Sequence, residues 1–230
     1  MFIHNKYKNI FSIDMKIDLY CVCWNEIKIL PFVIDYWKRY VNHAYVYDNN
    51  SDDGTYEYLN QFDWITVYRY NTDNQFNDKI NMNIKNETWK NNTEADWIVC
   101  CDMDEVLYST DINKFLTYCT SKNIDIISPT WNEVYYWDFP EYKENCLLHE
   151  NADKIYYKND GFTHKPMIFN RHTVTEMRYA PGAHTCNPNH AGRHLILYDK
   201  DNADFKLYHL KNLGIDYKYQ RDCILEERMS

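Results

Sequence analysis

Apolar residues in this chain come in short unbroken blocks, separated by segments in which they recur every three or four positions. Residues 16–24, KIDLYCVCW, form the first block, closed by the polar pair Asn25 and Glu26. Ile27, Leu30, Ile34, Trp37 and Val41 then fall on one face of a helix, which requires Pro31 to sit in the first turn, where its missing N–H costs nothing. A strand over 44–48 ends on Asp48. After a polar loop, Thr55 can cap a short helix running to Gln61. A strand over 64–68 follows, then a weakly periodic helix over 78–92 anchored by Ile80, Ile84 and Trp89, then an apolar strand over 96–101. Ile112, Phe115, Leu116 and Cys119 mark a further helix, capped by Ser109 or Thr110, and 125–128 a further strand. Beyond Pro129 the pattern turns irregular and aromatic until a last helix over about 215–228, with Ile215, Tyr219 and Cys223 four apart.

Strands alternating with helices over the first 128 residues predict an α/β fold with a mostly parallel central sheet flanked by helices. No Pro/Gly/Ser-rich linker divides the 230 residues, and five glycines leave little room for a joint, so a single domain is expected. Ligands of such sheets sit outside the carboxyl ends of the strands. That rule singles out Asn25-Glu26, Asp48–Thr55 and Asp102–Glu105, each a polar cluster directly after an apolar block.

A net charge of −9 argues against nucleic acid or an anionic membrane as partner. The balance is uneven: residues 161–230 carry ten Lys/Arg against eight Asp/Glu and hold six of the nine histidines. An anionic ligand would therefore find its positive partners in a metal near the first part and in side chains of the last. Aromatic residues make up 17%, mostly tyrosine, which fits either half-buried packing or a sugar-facing groove. Of the eight cysteines, Cys21, Cys23, Cys100 and Cys101 lie inside apolar blocks, as free buried thiols do. The N-terminal MFIHNKYKNIF has no continuous apolar core, and no run approaches the roughly 18 apolar residues of a membrane span. These features predict a reduced, cytoplasmic protein without an integral membrane segment, in which the glycosylation-like triplets at Asn49, Asn86 and Asn91 carry no role.

Asp102 and Asp104, two apart at a strand end, can turn toward one ion. Hard carboxylate oxygens suit Mg²⁺ or Mn²⁺, which bind one or two carboxylates together with phosphate oxygens. A solvated acidic turn is the alternative reading of the same residues. A third comes from Asp102 to Leu107, which is similar to the nucleophile motif of haloacid-dehalogenase phosphatases. Asp102 would then be the nucleophile, with Ser128, Lys165, Asp199 and Asp204 as the remaining motifs. That motif belongs on a domain's first strand, whereas here about 100 residues of α/β pattern precede it.

The loop Asp48-Asn49-Asn50-Ser51-Asp52-Asp53-Gly54-Thr55 resembles the signature that follows the second strand of family 2-like glycosyltransferases. CVCWNE at 21–26 looks like their opening strand, and ADWIVCCDMDE at 95–105 like their metal strand. HKPMIFN at 164–170, PGAH at 181–184 and LYHLKNLGIDY at 207–217 look like closing segments of a bacterial-type branch. The resemblance implies a GT-A fold, with about 16–128 as the nucleotide-binding half and about 129–230 as the acceptor-side half. It implies a nucleotide-diphosphate sugar as donor, a glycan, lipid-linked or protein hydroxyl as acceptor, and transfer with inversion. Asp102 and Asp104 would hold Mn²⁺ or Mg²⁺, completed by His209 or, as second choice, His184. Cys23, Asn25, Glu26, Asp48, Asn49, Ser51, Asp53, Lys79 and Met103 would face the donor, with Lys165, Lys211 and Arg221 on its diphosphate. No acidic pair of the family's usual kind follows the metal strand, so Glu133, with Asp138 behind it, is the expected base. Trp131, Tyr135, Tyr136 and Trp137 would shape the acceptor side or pack in the core. A non-catalytic glycan- or nucleotide-binding protein of the same fold is a further alternative. His184, Cys186, His190 and His194 depart from the paired spacing of structural zinc sites and read as a loop with scattered histidines.

Overall fold

The computed structural model describes residues 15–92, 94–157, 164–197 and 205–229; the N-terminal MFIHNKYKNIF, Asp199 and Asp204 lie outside them. In chain order the first half forms β1 (Ile17–Cys23), α1 (Leu30–Trp37), β2 (His43–Asp48), α2 (Thr55–Leu59), β3 (Ile65–Arg69), α3 (Asp78–Glu87), β4 (Trp97–Asp102), β5 (Glu105–Ser109), α4 (Ile112–Ser121) and β6 (Ile124–Ser128). The second half adds β7 (Thr130–Tyr136), β8 (Lys154–Tyr157), β9 (Ile168–Asn170), β10 (Val174–Glu176), β11 (Asn189–His190), β12 (Arg193–Ile196), β13 (Phe205–Leu213) and α5 (Ile215–Met229).

Seven strands make the main sheet, in the order β12-β6-β9-β4-β1-β2-β3. β1 lies between β2 and β4, parallel to both, and every one of its residues is buried. Such a strand, covered on both faces, has no polar alternation to show, which is why it reads as an unbroken apolar block. β2, nearer the edge, buries Ala44, Val46 and Asp48 and leaves the residues between them half-covered. α1 packs Leu30, Phe32, Val33, Tyr36 and Trp37 into the core, with Pro31 in its first turn as expected.

The sheet is mixed: four of its six neighbouring strand pairs are parallel, as expected, and two are antiparallel. The three-residue β9 inserts between β4 and β6 and runs antiparallel to both. All three of its residues, Ile168, Phe169 and Asn170, are buried. A second sheet, β5-β13-β7-β8, occupies the stretch that looked irregular from sequence, and β10 pairs with β11 in a small third one. The two sequence halves therefore interlock: β9 and β12 complete the main sheet, and β5 joins the second. Three elements also differ at their ends. Thr55 is the first residue of α2 rather than its cap, which is Gly54, and that helix ends at Leu59 rather than Gln61. The cap of α4 is Asp111, whose side chain accepts from Lys114 N–H, and the helix expected over 78–92 ends at Glu87, followed by a 3-10 turn over Thr88–Asn91.

Candidate active site

A cavity of about 630 Å³ opens at the carboxyl ends of β1, β2 and β4, where parallel sheets bind their ligands. Its floor is the turn Asp102–Glu105 between β4 and β5, and one wall is α5. Four carboxylates and three cations meet there. Lys85 Nζ lies 2.5 Å from Asp102 Oδ1, and Lys165 Nζ 3.1 Å from Asp102 Oδ2. Lys165 also bonds Glu105, whose other oxygen accepts the Asp102 N–H at 3.1 Å. Arg221 Nη2 reaches Asp104 Oδ2 at 2.9 Å and Glu26 Oε1 at 2.7 Å, and its Nη1 reaches Glu26 Oε2 at 2.8 Å and Tyr217 OH at 2.9 Å.

A chain of three side chains begins at Asp104. His209 Nε2 stands 3.1 Å from Asp104 Oδ2, and His209 Nδ1 3.2 Å from Glu133 Oε1. β13 and β7 set this geometry by pairing in parallel with His209 opposite Glu133. A bulge between His209 and Asn212 then turns Lys211 into the cavity while Asn212 donates to Glu133 Oε2 at 2.9 Å. Trp131 Nε1–H donates to Glu133 Oε1 at 3.1 Å, and Lys211 Nζ is 3.4 Å from the same oxygen. Burial raises the pKa of Asp102, Asp104 and Glu133, but cations outweigh it at all three. Lys85 and Lys165 hold Asp102 far below the usual carboxylate range, Arg221 and His209 do so for Asp104, and His209 and Lys211 bring Glu133 down to about 2. Burial lowers the pKa of His209, yet Asp104 and Glu133 raise it to about 9. Glu26 goes the other way: burial and the Asp104 charge push it up to about 7 against the pull of Arg221.

The loop after β2 works differently from a ligand-contacting strand end. Asp48 is fully buried, takes the Ser51 N–H at 3.1 Å and the Ser51 hydroxyl, and lies 3.4 Å from Arg69 Nε. Ser51 Oγ, Thr55 Oγ1 and Asp53 Oδ2 then accept the successive N–H groups of Asn25, Glu26 and Ile27, at 2.8, 2.9 and 3.0 Å. Asn25, at φ 50°, exchanges two further bonds with Asp52. The loop thus fixes the turn that aims Glu26 at Arg221. The φ of 98° at Gly54 is what lets the chain turn there into α2.

Of the residues singled out from sequence, Cys23, Asn25, Glu26, Asn49, Asp53, Asp102, Met103, Asp104, Lys165, His184, His209 and Lys211 line the cavity. Asp48 and Ser51 stand behind it, and Glu133 stands behind His209. Lys79 is exposed on α3, and Asp138 is exposed beyond β7. His184 packs against the Trp131 ring at 5.8 Å, with His209 edge-on to the same ring at 5.0 Å. The other histidines of that loop lie elsewhere: His190 bonds Asp125, and His194 bonds Ser128. Lys85 carries no signal in the sequence, because it sits in a polar helix beside Ile84 and reveals itself only by its contact with Asp102. Trp24 and Arg228, whose guanidinium carbon lies 3.5 Å above the Trp24 ring, also line the cavity without having been singled out.

Asp104 and His209 face each other across 3.1 Å, and Glu133 fixes the ring so that Nε2 points at Asp104. One carboxylate and one imidazole would suit a divalent ion that also binds substrate phosphates and water. Among the described residues no group of three His/Cys/Asp/Glu side chains converges on one point, so a closed, all-protein cage is not what the site offers.

No protein-family model and no curated protein matches the sequence. Solved structures do. Staphylococcus aureus TarS, a glycosyltransferase, is similar with a TM-score of 0.51 and 15% identity, over 93% of this chain and 43% of that one. TarS 1-349 is similar with a TM-score of 0.51 and 14% identity, over 93% of this chain and 70% of that one. The chain thus spans less than half of the longer TarS structure. The likeness is one of fold: this mixed α/β chain with its large central sheet is similar in structure to a glycosyltransferase. Among the described residues no helix is long and apolar enough to cross a membrane.

Proposed function

We propose that this chain is a metal-dependent glycosyltransferase of the GT-A type, moving a sugar from a nucleotide-diphosphate donor to a hydroxyl acceptor with inversion. The observation that carries this reading is the Asp104–His209 pair, backed by Glu133, at the carboxyl end of β4 in a cavity walled by Lys165, Lys211 and Arg221. Asp104 and His209 would hold Mn²⁺ or Mg²⁺, which when bound supplies Lewis-acid stabilisation of the leaving diphosphate.

The residues of the chain do the rest. Lys165, Lys211 and Arg221 put fixed positive charge where the diphosphate would develop its negative charge. Asp102, pinned by Lys85 and Lys165, has no mobile oxygen, so its work is to hold those two cations in place and to accept from a ribose or sugar hydroxyl. Glu133 serves His209 in this reading rather than the acceptor hydroxyl. Its oxygens already take bonds from His209, Trp131 and Asn212, and it does not border the cavity. The nucleoside would lie between the Trp24–Arg228 stack and Asn49, Tyr70 and Asn81.

One contact favours a second reading. Lys165 beside Asp102 is what a haloacid-dehalogenase-like phosphatase would require. Ser128, however, bonds His194 instead of facing Asp102, and both Asp102 oxygens are paired with lysines. A thermal-shift panel of UDP, GDP, CDP and dTDP, each with and without Mn²⁺, separates the two. A ligand at 100 times its Kd adds about 2.7 kcal/mol of apparent stability. Stabilisation by one nucleotide that needs Mn²⁺ and disappears in Asp104→Ala is expected. Nucleotide indifference, together with Mg²⁺-dependent phosphatase activity lost in Asp102→Ala, would establish the phosphatase.

A further inference from the structure

We propose that the exposed aromatic side chains of β7 and β8 form a docking shelf for an oligosaccharide. The acceptor would then be an extended glycan rather than a lone alcohol or a lipid headgroup. The proposal rests on the glycosyltransferase reading and adds the acceptor's class to it.

The register of the second sheet carries the argument. Glu133 on β7 is opposite His209 on one side and opposite Tyr156 of β8 on the other. Tyr135 is likewise flanked by Asn212 and by Lys154. Residues directly opposite one another, and residues two apart along a strand, share a face. The face that presents His209 to the cavity therefore continues outward through Glu133 to Tyr156, and in the next row through Asn212 to Tyr135. Val134 and Tyr136 point the other way: Val134 is fully buried, and the Tyr136 hydroxyl bonds Leu148 O at 2.7 Å.

The aromatic rings on the outer part of this face stay in solvent. Tyr135 is 38% exposed, Tyr156 54%, and Trp137, at the end of the same strand, 69%. Large rings normally bury themselves, and three of them on adjacent backbone form a patch rather than scattered exposure. Trp137 is held in position by the backbone: its N–H donates to Asp153 at 2.8 Å, and its carbonyl accepts from Ile215 N–H. A ring face offers a flat apolar surface to the C–H face of a sugar, while Lys154, Asp153 and Asn212 around it offer partners for hydroxyl groups. A lipid would need a continuous apolar surface, which this polar rim interrupts.

Distance sets the length of the occupant. Tyr156 lies two strand spacings from His209, about 10 Å across the sheet. A single sugar at the transfer point does not reach it, whereas a short chain of rings laid across the sheet does.

The test uses the whole chain with Mn²⁺ and the nucleotide that stabilises it. It is applied to an array of unbranched gluco-, galacto- and N-acetylglucosamine oligosaccharides, from monosaccharides to hexasaccharides. Wild type should be retained on oligosaccharides and not on monosaccharides. Tyr135→Ala/Tyr156→Ala should lose about tenfold in retention, and Tyr156→Phe, which keeps the ring, should not. Equal retention of the double alanine variant, loss in the phenylalanine variant, or retention of wild type on monosaccharides alone would each overturn the shelf. Nucleotide stabilisation, read in the same samples, keeps the two readings apart. Its absence in wild type defeats the glycosyltransferase assignment, whereas its presence without any glycan retention defeats the shelf alone.

Discussion

Arg221, on the last helix, places its guanidinium 2.9 Å from the carboxylate of Asp104, the same oxygen that His209 approaches at 3.1 Å. In the metal-free protein the arginine therefore stands where a divalent ion would compete for Asp104. Removing it leaves the buried Asp104 and Glu26 with less compensating charge, and breaking such pairs costs about 3–5 kcal/mol when they are fully enclosed. Arg221 is partly exposed, so a smaller loss is expected in Arg221→Ala. Saturating Mn²⁺ should recover more stability in that variant than in wild type, because the ion takes over the charge at Asp104. Urea unfolding with and without Mn²⁺ reads both numbers. An equal Mn²⁺ gain in the two proteins would show that arginine and ion do not share a site.

The pH dependence of the site follows from His209 and Glu133. His209 is raised from its ordinary 6.5 to about 9, so its pairing stabilises the metal-free fold fully below about pH 6.5 and is lost as the pH climbs through 9. Glu133 is lowered to about 2, so its share is complete above about pH 4.5 and disappears only as the pH falls through 2. Mn²⁺ has the opposite preference, since His209 Nε2 must shed its proton before it can bind the ion. Metal affinity should thus rise as the pH approaches 9, with a proton released on binding. Calorimetry in two buffers of different ionisation enthalpy measures that release, and none is expected in His209→Ala.

Asp48 gives a prediction about architecture. With no exposure and both oxygens engaged by Ser51, it is the anchor of the loop that clamps the Asn25–Ile27 turn. Asp48→Ala orphans the Ser51 N–H and hydroxyl and should cost about 1–3 kcal/mol. Nucleotide affinity should fall with it, since Asn25 and Glu26 line the cavity. A variant as stable as wild type in urea would mean that Ser51 finds another acceptor.

Gly214 joins β13 to α5 at φ 105°, and a Cβ there would stand 2.7 Å from Phe139 N. Gly214→Ala should therefore destabilise by more than about 1 kcal/mol, through a strained backbone and a collision with main chain that cannot yield. Because α5 starts at the next residue, the damage should appear as faster amide exchange along Ile215–Met229 while the exchange of β1 and β4 is unchanged.

Local features decided what could be read in advance. The buried strands β1 and β4 announce themselves as unbroken apolar blocks, and Pro31 and the periodicity around it place α1. Polar clusters directly after those blocks mark the ligand end of the sheet, because strand ends are where the chain leaves the core. Asp102 and Asp104 were placed at that end for this reason, and His209 by the likeness of its segment to a known family; all three line the cavity. Three things lay beyond this reach. The antiparallel insertion of β9 depends on which of several short apolar segments packs best between β4 and β6, a competition that no local pattern records. The loop Asp48–Thr55 looks like a ligand site from sequence, yet five of its bonds go to the Asn25–Ile27 turn, some 26 to 29 residues away. The roles of Lys85, Glu133 and Arg221 follow from side chains meeting across separations of 17, 76 and 117 residues. The sequence alone thus determined the strands β1 to β4 and β6 and the end of the sheet where the cavity opens, since burial and backbone preference act over a few residues. The tertiary structure decided which charges neutralise which, since that depends on distances that only packing sets.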